Sequence, residues 1–273
     1  MNRSYLFALI AFLWTVPALT ADDGDPLPKV RNYTAEEYGA HPQNWAATQD
    51  RRGIMYFGNS AGVLEFDGEF WRLIDLPQGS GAYALAADTA GRVYVGGQGK
   101  LGYLAPDSTG TMRYFSLRKT LPAAYQDFDD RVIQIVPTSK GMVFLADRLV
   151  LSYQDGTMQV AASEDHLFSA IYIDETLYVV DGAQGLARLE AGRLHGIAGG
   201  ELLRAQVVLP FLEDQLLLMS AQKGRMLYRL PGQTEGAAFS EWVRPDTVFS
   251  RIQVASGVAL QQGGFALGTY GMA

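Results

Sequence analysis

The sequence predicts an all-β protein: a β-propeller of four-stranded antiparallel blades, with about five to six blades present and the last one incomplete at the C-terminus. Three observations lead to this prediction. Short runs rich in β-branched and aromatic residues alternate with turn signals, these runs group into units of about 40 residues, and the units repeat the same order of strands and turns. The chain has 273 residues, of which 48% are apolar, and its 30 glycines supply many tight turns.

The first repeat lies between Asn44 and Ile74. It reads as four strands, at residues 45–48, 54–58, 63–66 and 70–73, with turn signals between them. The turn Asp67-Gly68 is a strong hairpin signal because glycine accepts a positive φ angle without steric cost.

Five further repeats follow the same order, with first strands predicted at residues 82–87, 132–136, 170–173, 207–212 and 251–254. Fifteen residues separate Gly53 from Gly68 and also Gly141 from Gly156, whereas 38 separate Gly53 from Gly91 of the second repeat. The intervals between repeats vary because the loops differ in length, notably at residues 116–130. A β-sandwich also contains many short strands. A repeated turn order favours the propeller, in which each blade buries its faces against its neighbours.

The chain divides into three predicted segments. Residues 1–21 read as a signal peptide: Arg3 supplies a positive charge, residues 5–16 are apolar, and the small residues that follow allow cleavage after Ala18 or Ala21. An uncleaved anchor is the alternative, but this apolar run is shorter than the ~20 residues that a membrane span needs. Residues 22–40 form an N-terminal lead segment, and residues 41–273 form the propeller repeats. The predicted location is the periplasm.

Composition argues against several classes of function. The net charge of −7 disfavours a nucleic-acid or anionic-membrane surface, because both require a basic face. The chain has no cysteine, which excludes disulfides, thiolate metal sites and a cysteine nucleophile. We therefore expect its stability to come from apolar burial in a large domain.

No motif in the sequence predicts a metal or a cofactor. His41, His166 and His195 fall in different repeats, whereas a metal site requires about three converging ligands. The acidic run at residues 127–130 lacks the alternating ligands and the central glycine of a calcium loop. The stretch VGGQGKLG lacks the Lys-Ser/Thr pair of a phosphate loop and opens no helix.

Paired carboxylates could carry acid–base chemistry, and Asp50, Asp67 and Asp88 are the candidates. Each occupies a position where β-turns favour aspartate, so the turns explain them without catalysis. The Gly-x-Ser-x-Gly spacing occurs at residues 58–62 (GNSAG), but there it joins two predicted strands, whereas a nucleophile elbow joins a strand to a helix. We therefore expect a non-enzymatic protein with no cofactor.

Ligand binding is predicted near the starts of the innermost strands, over the central channel. The residues in that position are Trp45, Tyr83, Arg131, Phe168 and Arg251. Aromatic rings stack on sugars, and arginines bind anionic groups through paired hydrogen bonds, so the set suits a carbohydrate or an anionic saccharide. Core packing or contact between blades explains the same residues at least as well.

Three stretches carry a resemblance to a known family: NWAATQDRRGIMYFGNSAGVLEFDGEFW, its echo GAYALAADTAGRVYVGGQGKLGYLAPD, and GGFALGTYGMA near the C-terminus. They resemble the periplasmic propeller repeats of two-component regulator sensors, from about residue 38 to the end of the chain and most strongly in the first two repeats. In such proteins a tyrosine-rich β-sandwich, a membrane helix and a cytoplasmic histidine kinase or diguanylate cyclase follow the propeller. The resemblance therefore implies an N-terminal fragment of a longer receptor.

Together these features predict an exported ligand-binding sensor domain of a bacterial signal-transduction receptor. The expected partner is a small-molecule or glycan ligand, with an oligosaccharide as the candidate. We expect no nucleic-acid partner, and membrane contact only through C-terminal parts that this chain lacks, as it lacks the downstream signalling domains. Two alternatives remain: a propeller enzyme, such as a polysaccharide lyase or a quinone-dependent dehydrogenase, and a passive scaffold for protein partners.

Overall fold

Twenty-two β-strands build the described part of the chain in a computed structural model. The structure describes residues 30–201, 204–211, 214–220, 224–230, 239–241, 254–260 and 264–269. All the strands belong to one compact unit, Thr34–Ala273. The predicted signal peptide, residues 1–21, lies outside the described residues.

A single turn of helix, α1 (Ala35–Tyr38), precedes the strands. It forms a capping box: Thr34 Oγ1 accepts from the Glu37 backbone N–H, and Glu37 Oε2 accepts from the Thr34 N–H at 2.7 Å. Gly39, with φ of 64°, ends it. Within the described ranges, no helix has the length and apolar character that a membrane crossing requires.

The strands form five four-stranded sheets and a sixth sheet with two described strands. Sheet 1 contains β1 (Asn44–Gln49), β2 (Met55–Asn59), β3 (Gly62–Phe66) and β4 (Trp71–Ile74). Sheet 2 contains β5 (Ala82–Ala87), β6 (Val93–Gly97), β7 (Lys100–Pro106) and β8 (Met112–Ser116). Sheet 3 contains β9 (Val132–Thr138), β10 (Gly141–Ala146), β11 (Leu149–Gln154) and β12 (Thr157–Ala162).

The remaining sheets follow in chain order. Sheet 4 contains β13 (Leu167–Ile173), β14 (Thr176–Asp181), β15 (Gly185–Glu190) and β16 (Arg193–Gly196). Sheet 5 contains β17 (Ala205–Phe211), β18 (Gln215–Ser220), β19 (Gly224–Arg229) and β20 (Phe239–Glu241). Sheet 6 contains β21 (Val254–Ala259) and β22 (Phe265–Thr269). Short 3₁₀ turns at Pro77–Gly79, Arg118–Thr120 and Ala123–Tyr125 interrupt the longer loops.

Each sheet is an antiparallel meander, and the first strands of successive sheets pack side by side, from β1 on β5 through to β17 on β21. This arrangement is a β-propeller and confirms the predicted fold class, including its five to six blades. It rules out the β-sandwich, because a sandwich would stack two sheets face to face.

Among the described residues, the core consists of five apolar clusters, one between each pair of neighbouring sheets. Between sheets 1 and 2, for example, Tyr56 and Val63 pack with Val95 and Leu104. Between sheets 2 and 3, Leu101 and other side chains surround Phe144, which has no exposed surface. Burying one such side chain contributes roughly 1.5–3 kcal/mol, so each sheet is stabilised mainly by its neighbours.

Glycine is required where one sheet approaches the next most closely. A Cβ atom on Gly96 of β6 would lie 2.4 Å from Val132 Cγ1 of sheet 3. Gly58 occupies the matching position in β2, and its Cβ would lie 2.8 Å from the Ala82 carbonyl oxygen of sheet 2. The glycine near the end of the second strand is therefore a packing requirement of sheets 1 and 2.

In sheets 1 to 4, short turns join the first strand to the second and the third strand to the fourth, and these turns lie at one end of the sheets, here called the turn face. Asp50, Asp88 and Asp107 start three similar turns in which the aspartate N–H bonds the carbonyl four residues ahead. Their carboxylates also accept backbone N–H bonds within the same turn, as in Arg52 N–H to Asp50 Oδ1 at 2.8 Å. At the fourth turn, Asp67 Oδ1 accepts two N–H bonds, and Gly68 has a φ of 105°. The turn role of these aspartates is therefore confirmed.

Candidate functional site

The candidate site is the opposite end of the sheets, where the first strands begin, and is called the channel mouth here. In every sheet the first strand contains an irregularity in pairing next to its first residue, which leaves one residue unpaired. The unpaired residues are Trp45, Tyr83, Ile133, Phe168, Gln206 and Ala255. Such β-bulges bend a strand and redirect one side chain. The propeller therefore presents one redirected residue per blade at its mouth.

The structure shows where four of the five sequence-predicted site residues lie. Trp45, Tyr83 and Phe168 occupy this bulge position in sheets 1, 2 and 4, and Arg131 immediately precedes the first strand of sheet 3. Arg251 lies outside the described residues. The structure thus brings together Trp45 and Tyr83, whereas Arg131 and Phe168 belong to blades farther round the mouth.

Trp45 and Tyr83 form an aromatic pair that joins sheets 1 and 2. Their ring centroids are 5.4 Å apart and the rings meet edge to face at 83°. The indole Nε1–H of Trp45 donates to Ser60 Oγ at 2.9 Å, which fixes the ring orientation. The Trp45 side chain nevertheless remains 48% exposed. An aromatic ring that is both fixed and accessible can stack on a ligand with little loss of conformational entropy.

A buried asparagine holds the segment that carries Trp45. Asn59, which is fully buried at the end of β2, donates from Nδ2 to the His41 carbonyl at 2.6 Å and to Asn44 Oδ1 at 2.7 Å. Its Oδ1 accepts from the Ala61 N–H at 2.9 Å. All of its strong hydrogen-bonding groups are therefore used to anchor residues 41–45, as expected for a buried polar side chain.

Asp181 has the matching position at the end of the second strand of sheet 4. It has no exposed surface, and its carboxylate accepts from Ser163 Oγ at 2.9 Å, the Ala183 N–H at 2.8 Å and Gln184 Nε2 at 3.2 Å. Asn59 and Asp181 thus fix the mouth loops of two blades from within. Neither residue was predicted, although a polar residue that ends an apolar strand, as in MYFGN and TLYVVD, is a usable sequence signal.

Charged side chains line the mouth from sheet 3 to sheet 5. Arg131 Nη2 lies 3.7 Å from Asp147 Oδ1, and Arg204 Nη2 lies 3.6 Å from Asp165 Oδ2. These half-exposed pairs are too long for strong hydrogen bonds, so the arginines keep donor capacity for a ligand. Burial, followed by the negative charge of Asp147, raises the pKa of Asp130 above its usual range.

Phe168 differs from Trp45 and Tyr83 in its surroundings. Its side chain is partly buried and packs against the apolar cluster of sheets 4 and 5, which includes Tyr178 and Leu186. Ser169 beside it donates to the Ala205 carbonyl of the next sheet at 3.1 Å. Phe168 therefore contributes to contact between blades in the structure, and its role in binding stays a prediction.

The other sequence motifs are accounted for by local structure. In VGGQGKLG, Gly96 and Gly97 belong to β6, and Gly99 has a φ of 58° in the turn to β7. The acidic run at residues 127–130 faces that turn: the Asp129 carbonyl accepts from Gln98 Nε2, and the Asp130 carbonyl accepts from the Gly99 N–H at 3.0 Å. Among the described residues, no group of three or more His, Asp and Glu side chains is arranged to hold a metal ion.

Comparison with known proteins supports the fold. No family model and no curated protein matches the sequence. Among solved structures, the chain is similar to a catalytically inactive virginiamycin B lyase from Staphylococcus aureus with quinupristin, with a TM-score of 0.61, 13% identity, and coverage of 82% of this chain and 77% of that chain. It is also similar to the WD40 beta propeller domain of Doa1, with a TM-score of 0.54, 11% identity, and coverage of 82% and 79%.

A third similar structure is the extracellular domain of the hybrid two component system BT4673 from B. thetaiotaomicron. The TM-score is 0.50 at 15% identity, with coverage of 83% of this chain and 36% of that chain. This chain therefore spans about a third of the length of that domain. At these identities, the three structures show a shared propeller fold.

Proposed function

We propose that this protein is an exported, non-enzymatic sensor domain of a bacterial signal-transduction receptor and that it binds an oligosaccharide at the channel mouth. The single observation that carries the proposal is the Trp45–Tyr83 pair, a fixed and half-exposed aromatic surface at the mouth. The likeness to the BT4673 extracellular domain supports the choice of a receptor over other propeller functions.

The chemistry of the mouth suits a sugar ligand. An aromatic face packs on the C–H surface of a pyranose ring, and polar groups around it bind the hydroxyls. Ser60 and Arg131 are polar groups of the same rim, and the loosely paired arginines would also accept an acidic sugar. A signal would require the ligand to bind one arrangement of the full receptor more tightly than another.

Isothermal titration of the purified chain against neutral and uronate oligosaccharides tests the proposal. We expect saturable binding of at least one oligosaccharide, and Trp45→Ala should weaken it by about tenfold because an aromatic contact contributes up to ~1.5 kcal/mol. Phe70→Ala is the matched control, since Phe70 is 67% exposed but lies on the turn face. No binding across the panel, or equal loss in both variants, would refute the proposal.

A polysaccharide lyase is the second candidate function. Two observations favour it: one similar propeller is a lyase, of virginiamycin B, and His166 lies at the mouth directly before the first strand of sheet 4, with its backbone N–H donating to Asp165 Oδ1 at 2.7 Å. A lyase would release unsaturated uronate products, which absorb in the ultraviolet. Product formation that is lost in His166→Ala would establish the lyase and overturn the non-enzymatic sensor.

A further inference from the structure

A cavity lies between sheets 1 and 2 on the turn face, and it is called the turn-face cleft here. Its volume is about 490 Å³, which is within the usual range for small-molecule sites. The residues that matter for its chemistry are Arg52, Glu65, Arg72, Arg92, Leu104 and Met112. The cleft therefore combines three guanidinium groups and one carboxylate with an apolar wall.

The charges of the cleft are only partly compensated. Arg52 is neutralised by Asp50, whose Oδ2 accepts from Nη2 at 2.7 Å and from Nε at 2.9 Å. Arg72 lies opposite Glu65 in the sheet, with 3.7 Å between Nη1 and Oε1, and Arg92 lies over the Tyr103 ring at 4.7 Å. Two guanidinium charges against one carboxylate leave one positive charge, in a protein whose net charge is −7.

Glu65 is the least satisfied group in the cleft. Its Oε2 is buried and has no hydrogen-bond partner in the described part of the chain. The 3.7 Å separation from Arg72 exceeds the length of a hydrogen bond, and the Arg72 side chain is 56% exposed, so Arg72 is free to turn toward a ligand. A hydroxyl donor brought in by that ligand would supply the missing bond to Glu65.

We propose that the turn-face cleft binds a small hydroxylated carboxylate. The ligand carboxylate accepts hydrogen bonds from Arg72 and Arg92, a ligand hydroxyl donates to Glu65, and the carbon skeleton lies against Leu104 and Met112. A monoanion matches the single uncompensated charge, whereas the Glu65 carboxylate disfavours a phosphate dianion. This site lies at the opposite end of the sheets from the channel mouth. Its test therefore does not depend on the proposed binding of an oligosaccharide at the mouth.

Titration of the purified chain with four probes tests the ligand class: D-gluconate, propionate, D-glucose and inorganic phosphate. Gluconate carries both the carboxylate and the hydroxyls, so it should bind most tightly, and propionate and glucose should each bind about tenfold more weakly because each lacks one kind of charge-assisted hydrogen bond. A failure of gluconate to bind, or tighter binding of phosphate, would overturn the proposal.

Variants locate the site. Arg72→Gln and Arg92→Gln should each weaken gluconate binding by about tenfold or more, whereas the control Arg193→Gln, on the exposed strand β16, should leave it unchanged. Glu65→Gln should tighten propionate binding and reduce the preference for gluconate, an effect that a purely structural role of Glu65 would not produce. Melting curves confirm that each variant is folded.

One more variant separates the cleft from the mouth. Trp45→Ala should leave gluconate affinity unchanged, because Trp45 lies at the far end of sheet 1. Loss of gluconate binding in Trp45→Ala, with full binding in Arg72→Gln, would place the anion at the mouth and overturn the cleft.

Discussion

The two ends of the sheets are built on different rules. On the turn face the loops within sheets 1 to 4 have only two to five residues, and Asp50, Asp88 and Asp107 close three of them with the same backbone bonds. At the channel mouth, the loops before β5, β9, β13 and β17 span residues 75–81, 117–131, 163–166 and 197–204 and differ widely in length. Short turns support a scaffold, whereas variable loops on a rigid scaffold are where binding sites usually lie.

The aspartate turns of sheets 1 and 2 and the channel mouth also differ in how far their hydrogen bonds reach, although Ser139 on the turn face of sheet 3 bonds to Tyr172 and Glu175 of sheet 4. Turn-face aspartates bond within their own turn, over four residues. At the mouth, Asn59 reaches back 18 residues to His41, and the Gln98 amide reaches forward 31 residues to Asp129. The mouth is thus held by contacts between distant segments, so damage there should affect tertiary structure and binding together.

We expect the largest loss of stability from a substitution in the core, between the two ends of the sheets. Phe144 is fully buried between sheets 2 and 3. Phe144→Ala should lower the free energy of unfolding by about 3–5 kcal/mol, because it removes apolar contacts and leaves a cavity. Urea unfolding of this variant beside Phe70→Ala, an exposed control, measures the difference; equal small losses would mean that the sheets are not packed as described.

Asn59→Ala should give the next largest effect. It removes three short hydrogen bonds at the mouth and should lower the free energy of unfolding by about 2–3 kcal/mol, at ~1 kcal/mol per bond. Urea unfolding again measures the loss. Asn44→Ala, which removes only one of these bonds, is the control, and equal losses in the two variants would argue against Asn59 as the anchor.

The substitution Asp50→Asn tests how much a turn on the turn face contributes to the free energy of unfolding. This contribution should depend on pH. Burial opposes ionisation of Asp50, but hydrogen bonds from Arg52 and the Ile54 N–H outweigh burial and lower its pKa. A lowered folded-state pKa stabilises the protein above the unfolded-state value near ~3.9, and this contribution disappears as the pH falls through the folded-state pKa. Asp50→Asn should therefore destabilise the fold by about 1–2 kcal/mol at neutral pH and progressively less below pH ~4.

The comparison for this pH effect is Asp155→Asn, a change in the exposed turn between β11 and β12. Its unfolding free energy should follow the wild type across the whole pH range. A constant offset between the wild type and Asp50→Asn from neutral to acidic pH would show that the Asp50 charge does not stabilise the turn.

The smallest expected effect is the coupling between Trp45 and Tyr83. A double-mutant cycle with Trp45→Ala and Tyr83→Ala should give about 0.5–1.5 kcal/mol, the range for an edge-to-face aromatic pair. Unfolding free energies of the two single variants and the double variant supply the value. Simple additivity would show that the two rings do not interact in solution.

Local signals explain how much of the fold was predictable. The strands at residues 54–58 and 63–66 correspond to β2 and β3 within one residue, because Gly53 and Gly68 mark their turns through positive φ angles of 83° and 105°. The repeated spacing then predicted the propeller, since one blade cannot bury its own faces. The strand and turn signals thus lie within a few residues of the structure that they specify, whereas the signal for the propeller is the repeat of whole blades.

The candidate site was only partly predictable, because its decisive contacts join distant segments. Trp45 and Tyr83 could be named from their place at the start of a strand, but their edge-to-face contact depends on how β1 packs on β5. The turn-face cleft depends in the same way on sheet 1 meeting sheet 2, which brings Arg72 near Arg92. Binding roles for Trp45, Tyr83, Arg131 and Phe168 stay predictions, and Arg251 lies outside the described residues.

Hydrogen exchange measured by mass spectrometry, with and without a mixture of neutral oligosaccharides, tests the division between the two ends most directly. We predict slower exchange with the sugars at residues 41–45, 81–83 and 129–131 of the mouth. Exchange at the turn-face residues 50–53, 88–91 and 107–110 should not change. Protection of the turns in place of the mouth, or no protection at either end, would contradict the account.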